Sequence, residues 1–588
     1  MRYRVSLPEP DSHLFHVEAT LARPGAAPEL CFPVWTPGSY LIREFTRHLE
    51  GLEALDTEGH PLTITRLDKH RISVAVGNAA AVVLRYRVYA NELTVRTCHL
   101  DGTHGYLNGA AVFPYAAGRL AEPCQLEVVP PAGWEVATAL PGGPTSFTAR
   151  DYDELADSPV EIGRHRLLRF EVGGKPHQLA IWGRAHLDEV ALVEDVRRIV
   201  EVFERLFGGL PYDRYLFILH LTEKRRGGLE HARSTTLNLA RTSFFPRDAY
   251  EETLAVVAHE FFHLWNVKRL RPAAFTPYDY TREQYTRLLW WFEGVTSYYD
   301  GLALVRAGIT EPRRYLRRLG QALTALSRTP GAAKTSAEEA SFLAWVKQYR
   351  PDENSVNSTV SYYLKGELIA LALDLALRRA GGSLDVLLRT LVAHHADAGL
   401  PEDGVERAAA AVLGAEAARS FFDGFVRGVE PLELRLEQLG LRLRRRPAAG
   451  FDDKGGTPRA ENGRPEAGWL GIDLASGPRL LVQSAREGSP AARAGLYADD
   501  EIVAEDGLRV VDRAALWDRL CQEGPGGKLR LTVFRRDELR EIEVPLAPAP
   551  EDTVWIEPAA DAPIPARAAF EAWCGGRWPE GSIRDASG

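Results

Sequence analysis

The chain has 588 residues, too many for one hydrophobic core, and the length points to two to four domains. Hydrophobic residues make up 45% and charged residues 26%, the balance of an ordinary globular protein, and the net charge of -9 gives no general electrostatic reason to expect a nucleic-acid partner. No run reaches the roughly 18 apolar residues of a membrane span. The opening MRYRVSLPEPDSHLF lacks the apolar core of a secretory signal, so the expected compartment is the cytoplasm. Five scattered cysteines, an odd count with no close pair, argue against a disulfide framework.

Residues 1–164 are expected to form a β-rich domain. HLFHVEATL, RISVAVG, AAVVLRYRVYA and CQLEVVP alternate or are rich in β-branched residues, and turn signals such as Pro37-Gly38 separate the runs. Residues 165–447 change character. Two strand-like runs precede a helical pattern, EVALVEDVRRIVEVFERLFG. The apolar run RYLFILHLTE then predicts a buried strand. From Tyr250 onward helices dominate, including EETLAVVAHEFFHLWNV and SYYLKGELIALALDLALRRA. Segregated β and α segments fit an α+β unit. Lys224, Arg225 and Arg226 form a local basic run, read as solvated or salt-bridged cations. Residues 448–467 are rich in Gly, Pro and charge and read as a linker or surface loop. A compact unit spans 468–548, and 549–588 is expected to be a tail, part of which packs back.

Chemistry concentrates at HEFFH, residues 259–263. Inside a helix, His259 and His263 share one face a turn apart, where two imidazoles can grip one metal ion. Glu260 lies one residue off that face and can act as general base on water. Zinc needs a third ligand. Glu293, in the apolar segment WWFEGVTSYY, is the choice over Asp279 and Glu283, which lie in a more polar stretch. Taken alone, Tyr363 reads as a packed tyrosine at a helix start. GGLEH, 227–231, reads alone as a hairpin turn, although Gly227-Gly228 lets backbone approach a ligand and Glu230 could bind an amine.

Several motifs together resemble the glycyl aminopeptidase family of zinc metallopeptidases, of the gluzincin type, including members with a PDZ domain. They are VWTPGSYLIREF (34–45), GGLEH (227–231), HEFFHLWNVKRLRP (259–272), FEGVTSYY (292–299) and SYYLKGELIALALDL (361–375). The resemblance implies a multidomain α+β protein with a thermolysin-like, mostly helical catalytic domain over 165–447. It implies that His259, His263 and Glu293 bind Zn2+, that Glu260 activates water and that Tyr363 stabilises the oxyanion. Gly227, Gly228 and Leu229 would line the substrate backbone, and Glu230 would hold its free α-amine. Leu229 and His231 stand where related aminopeptidases have methionine and asparagine. The unit 468–548 resembles a PDZ domain, with GWLGI as carboxylate-binding loop, and implies a C-terminal peptide ligand. The expected activity is removal of N-terminal glycine or alanine from peptides with a free N-terminus. A PDZ-assisted endopeptidase and a peptide-binding protein with an inactive zinc site are the alternatives.

Overall fold

The computed structural model describes residues 1–223, 227–458 and 465–580. The basic run Lys224, Arg225 and Arg226, and part of the Gly/Pro-rich segment, lie outside the described residues. The architecture is multidomain α+β, with a β-rich N-terminal region, a helical middle and a β-rich C-terminal region. The chain divides into two compact units: Met1–Thr286 with Tyr299–Ile309 and Leu388–Gly404, and Arg287–Tyr298 with Thr310–Leu387 and Val405–Gly588.

In the first unit, the alternating runs of the N-terminus become strands. Leu14–Ala22 buries Phe15, Val17, Ala19 and Leu21 and exposes the residues between them more fully. It pairs antiparallel with Ala81–Tyr89, setting Val17 opposite Tyr86 and Ala19 opposite Leu84. This period-2 pattern fixes the register, because a slip of one residue would turn the apolar set to solvent. The two strands are central in a six-stranded sheet.

A five-stranded sheet follows, in the order Arg166–Val172, Lys175–Gly183, Tyr215–Thr222, Ser234–Ala240, Gly227–Glu230. Its middle strand, Tyr215–Thr222, is buried at all eight positions and parallel to both neighbours. Burial on both faces explains an apolar run in place of alternation. The helix Glu189–Phe207 crosses between two of these strands. The Asp188 side chain accepts from the amides of Val190 and Ala191 at its start, and Gly208 ends it at φ 77°. GGLEH is not a hairpin turn. Gly227–Glu230 is the last strand of the sheet, antiparallel to Ser234–Ala240. Its glycines weaken the local strand signal, and cross-strand pairing supplies what propensity lacks.

Glu161 ties these layers together inside the first unit. It stands on Val160–Gly163 and accepts from His104 Nδ1 (3.0 Å) and His220 Nε2 (2.8 Å). His104 belongs to an N-terminal strand and His220 to the buried central strand. All three side chains are inaccessible to solvent, and Trp182 stacks on His104 at 3.7 Å.

The second unit holds the long helices Pro312–Ser327 and Tyr362–Arg379 and the C-terminal β-rich region. There, Glu501–Glu505, Lys528–Arg535 and Glu538–Pro545 form an antiparallel sheet flanked by the helix Arg513–Glu523. Residues 549–580 are more than a tail. Thr553–Pro558 pairs with Leu441–Arg446, and the helix Ile564–Cys574 buries Phe570 and Trp573. The Trp573 indole donates to the Tyr298 hydroxyl at 2.7 Å. Those aromatics gain more from burial than an exposed tail would allow. The described cysteines are free and buried, and no described helix is long and apolar enough to cross a membrane.

Burial alone would raise the Glu161 pKa, but the charges and hydrogen bonds of His104 and His220 bring it down to about 2. A depressed carboxyl stabilises the fold fully above its unfolded value, 4.5, and progressively less as pH falls toward 2. Glu161→Gln is expected to cost about 3–5 kcal/mol at neutral pH. It should also flatten the loss of stability between pH 4.5 and 2, measured by urea denaturation across that range.

Candidate metal centre and substrate strand

The helix carrying the two histidines runs from Arg247 to Phe262, with His263 as its C-cap. HEFFH therefore closes the helix instead of lying inside it. The His263 amide still bonds to the His259 carbonyl at 3.3 Å, so the one-turn spacing survives. The intervening phenylalanines anchor this end. Phe261 meets Tyr215 of the buried central strand at 4.9 Å, and Phe262 stacks on Tyr299 at 4.9 Å. Both are fully buried. With 100° between successive residues, packing 261 and 262 inward turns 259, 260 and 263 to another side.

Hydrogen bonds fix both imidazoles. His263 Nδ1 lies 2.9 Å from the Asn266 carbonyl, and His259 Nδ1 lies 3.2 Å from Asp300 Oδ2. A carbonyl only accepts, so Nδ1 of His263 carries a proton and Nε2 is the ring atom left for another partner. A carboxylate partner does the same for His259. Hydrogen bonds of this kind can orient imidazoles toward a metal. The rings are 4.7 Å apart and nearly perpendicular.

Ligand atoms of Glu230, Glu260 and His263, all within the first unit, lie within 4.8 Å of one another. Two imidazoles and a carboxylate, the donor set expected of His259, His263 and Glu293, would suit zinc. Of the weaker alternatives, Asp279 is spent on Thr281 and Arg282.

Within the second unit, Glu293 follows the fully buried turn Leu289–Phe292 and is itself 3% exposed. Gly294 and Gly366 let two helices touch backbone to backbone, since a Cβ on either would collide with the other helix. That contact brings the start of Tyr362–Arg379, capped by Ser361, toward Glu293. Burial, and then the Glu293 charge, push the Tyr363 phenol pKa well above 10, so the hydroxyl stays a donor.

The strand Gly227–Glu230 lies against the general-base candidate. A Cβ on Gly228 would collide with the Glu260 carboxylate. Glu230 ends the strand, 4% exposed, and its Oε1 is buried without a hydrogen-bond partner. The next residue, His231, is committed elsewhere: its Nδ1 bonds Asp157, which also pairs with buried Lys268 at 2.6 Å. The turn Thr36–Ser39 covers Glu230. Pro37 and Gly38, at φ 88°, occupy the middle of a type II turn closed by the Ser39 amide. A Cβ on Gly38 would sit 2.5 Å from Glu230 Oε1.

Sequence reasoning missed Gly38, Asp300 and Asn266. Asp300 was within reach, since it follows Glu293 on the same helical run; Gly38 was visible as a turn, without its partner.

In the C-terminal region a cavity of about 520 Å³ lies between Gly468–Leu474 and the helix Arg513–Glu523. Phe451 packs edge-on against Trp517 at 5.5 Å, and Arg513 donates to the carbonyls of Leu474 and Ala475.

Comparison with known proteins agrees with this geometry. Residues 2–164 match the Peptidase M61 N-terminal domain, 252–369 match M61 glycyl aminopeptidase, and 453–546 match a PDZ domain. An aminopeptidase N family protein from Idiomarina loihiensis is 32% identical and superposes with a TM-score of 0.91, over 97% of this chain and 99% of that one. An M1 zinc metallopeptidase from Deinococcus radiodurans is 16% identical, with a TM-score of 0.47 over 73% of this chain and 94% of that one. A probable periplasmic serine endoprotease DegP-like of Brucella suis is 33% identical over 105 residues, 16% of this chain. This chain spans 20% of that curated relative's length.

The Gly228 contact yields a direct test. Gly228→Ala is expected to displace the Glu260 carboxylate and lower turnover at least ~10²-fold, the scale of losing a general base. Circular dichroism should show an intact fold, and unchanged turnover would contradict the contact.

Proposed function

The chain belongs to the M61 glycyl aminopeptidase family, and from that premise we propose that it is a zinc-dependent aminopeptidase releasing small N-terminal residues, glycine or alanine, from peptides. The observation that carries the amino-terminal polarity is Glu230. Its buried carboxylate has an oxygen without a partner, beside Glu260 and His263. A buried carboxylate oxygen left without a hydrogen bond is costly unless a donor arrives, and a peptide's α-ammonium is a donor of the right size.

In this reading His259, His263 and Glu293 would hold zinc, which when bound would supply Lewis acidity for a carbonyl and for water. Glu260 accepts the water's proton at its carboxylate and returns a proton to the leaving amine. The Tyr363 hydroxyl donates to the oxyanion. Gly227, Gly228 and Leu229 present an edge strand to the substrate backbone, and glycine at 228 leaves room for the base. The Thr36–Ser39 turn over Glu230 supports a closed amino-terminal end, which suits removal of one residue at a time. In the PDZ-like region, a C-terminal peptide would add to the strand edge at Ile472 and Asp473, since Arg513 already takes the next carbonyls.

Two measurements test this reading. Elemental analysis should find about one zinc per chain, and His263→Ala should lower it sharply, whereas Glu260→Gln should keep the metal and lose at least ~10²-fold in turnover. The amine site is tested by kcat/KM on a glycyl-alanyl peptide with and without N-acetylation. The wild type should strongly prefer the free amine, and Glu230→Ala should shrink that preference. Equal rates in the wild type would make the protein an endopeptidase.

A further inference from the structure

Glu230 has a counterpart of opposite sign along the same edge strand. Arg96 Nη2 donates to the Gly228 carbonyl at 3.5 Å, and Nη1 stands 4.0 Å from the position a Cβ would take on Gly227. The Arg96 side chain is half-buried, and its Nε is shielded from solvent without a hydrogen-bond partner. Among the described residues no carboxylate forms an ion pair with it. Guanidinium groups so placed usually meet a carboxylate or phosphate, because their planar donors match two oxygens at once.

Spacing decides what that anion is. An extended chain advances about 3.3 Å per residue, so Gly228 and Gly227 lie roughly 7 and 10 Å from Glu230 along the strand. A peptide laid along this edge with its ammonium on Glu230 reaches Arg96 after two or three residues. The Glu260 carboxylate lies against Gly228, on the same stretch of strand. We propose that Arg96 binds the substrate's own C-terminal carboxylate, so that the preferred substrates are zwitterionic di- and tripeptides. The proposal rests on the amine role of Glu230 and adds a length limit to it.

The test uses the zinc-loaded full chain and the peptides Gly-Ala and Gly-Ala-Ala, each as free acid and as C-terminal amide, beside a six-residue peptide with the same start. In the wild type, amidation should lower kcat/KM at least ~10-fold, chiefly through KM, as expected for loss of one charge-assisted contact. The six-residue peptide should be slower and indifferent to amidation. Arg96→Gln should bring acid and amide to equal rates, and Arg96→Lys should keep part of the preference. Each acid-to-amide ratio is taken within one variant, so it does not depend on the fraction of folded enzyme. Equal rates on acid and amide in the wild type, or a preference that Arg96→Gln leaves intact, would overturn the role of Arg96. Neither result bears on the amine site, which is read separately from N-acetylation; equal rates on acetylated and free peptides would remove the Glu230 reading on which this proposal stands.

Discussion

Glycine at 228 allows a strand backbone and a catalytic-type carboxylate to occupy adjoining space, and most of the site follows from that proximity. Glu260 can lie against the strand only because no Cβ projects there. The strand is held by Ser234–Ala240, which pairs in turn with the fully buried Tyr215–Thr222. The helix bearing Glu260 is pinned to the same central strand through Phe261. Strand and helix are thus referenced to one buried element, which holds their side chains in a defined relation. Gly38 over Glu230 and Gly294 against Gly366 repeat the device, so the motif glycines read as space left for close approach.

Buried charge is the second theme. Glu161 is paired with two histidines, and Asp157 with Lys268 and His231. Asp374, wholly buried, accepts from the Tyr298 hydroxyl, Arg378 and the Leu384 amide. In each case the desolvation cost is offset by charge-assisted hydrogen bonds. Glu230 departs from that rule with one buried oxygen unmatched. That departure is what the proposed amine role of Glu230 is built on.

Period and composition carried a large part of this architecture. The N-terminal strands were legible from alternation, and Tyr215–Thr222 from an unbroken apolar run. HEFFH was legible as a pair of imidazoles one turn apart, though not as a helix terminus, because no glycine or proline follows it to mark the end. GGLEH misled, since two glycines locally favour a turn and only pairing with a distant strand makes them extended. Of the C-terminal residues, only that part of them packs back was legible. Their Pro/Ala-rich composition hides a strand whose partner, Leu441–Arg446, lies about a hundred positions earlier. Arg96 was invisible, because the 132 positions between it and Gly228 erase any spacing pattern.

The electrostatics of the site join its metal and its substrate. Glu230 and Glu260 approach His263 within 4.8 Å, and the His263 Nδ1 is turned to the Asn266 carbonyl. In the proposed reading a divalent ion held by the imidazoles and an ammonium at Glu230 would both bring positive charge to buried acids, and at low effective dielectric such attraction would be several-fold stronger than in water. The acids that crowd this histidine would then serve affinity, first for a metal and then for the charged end of a peptide.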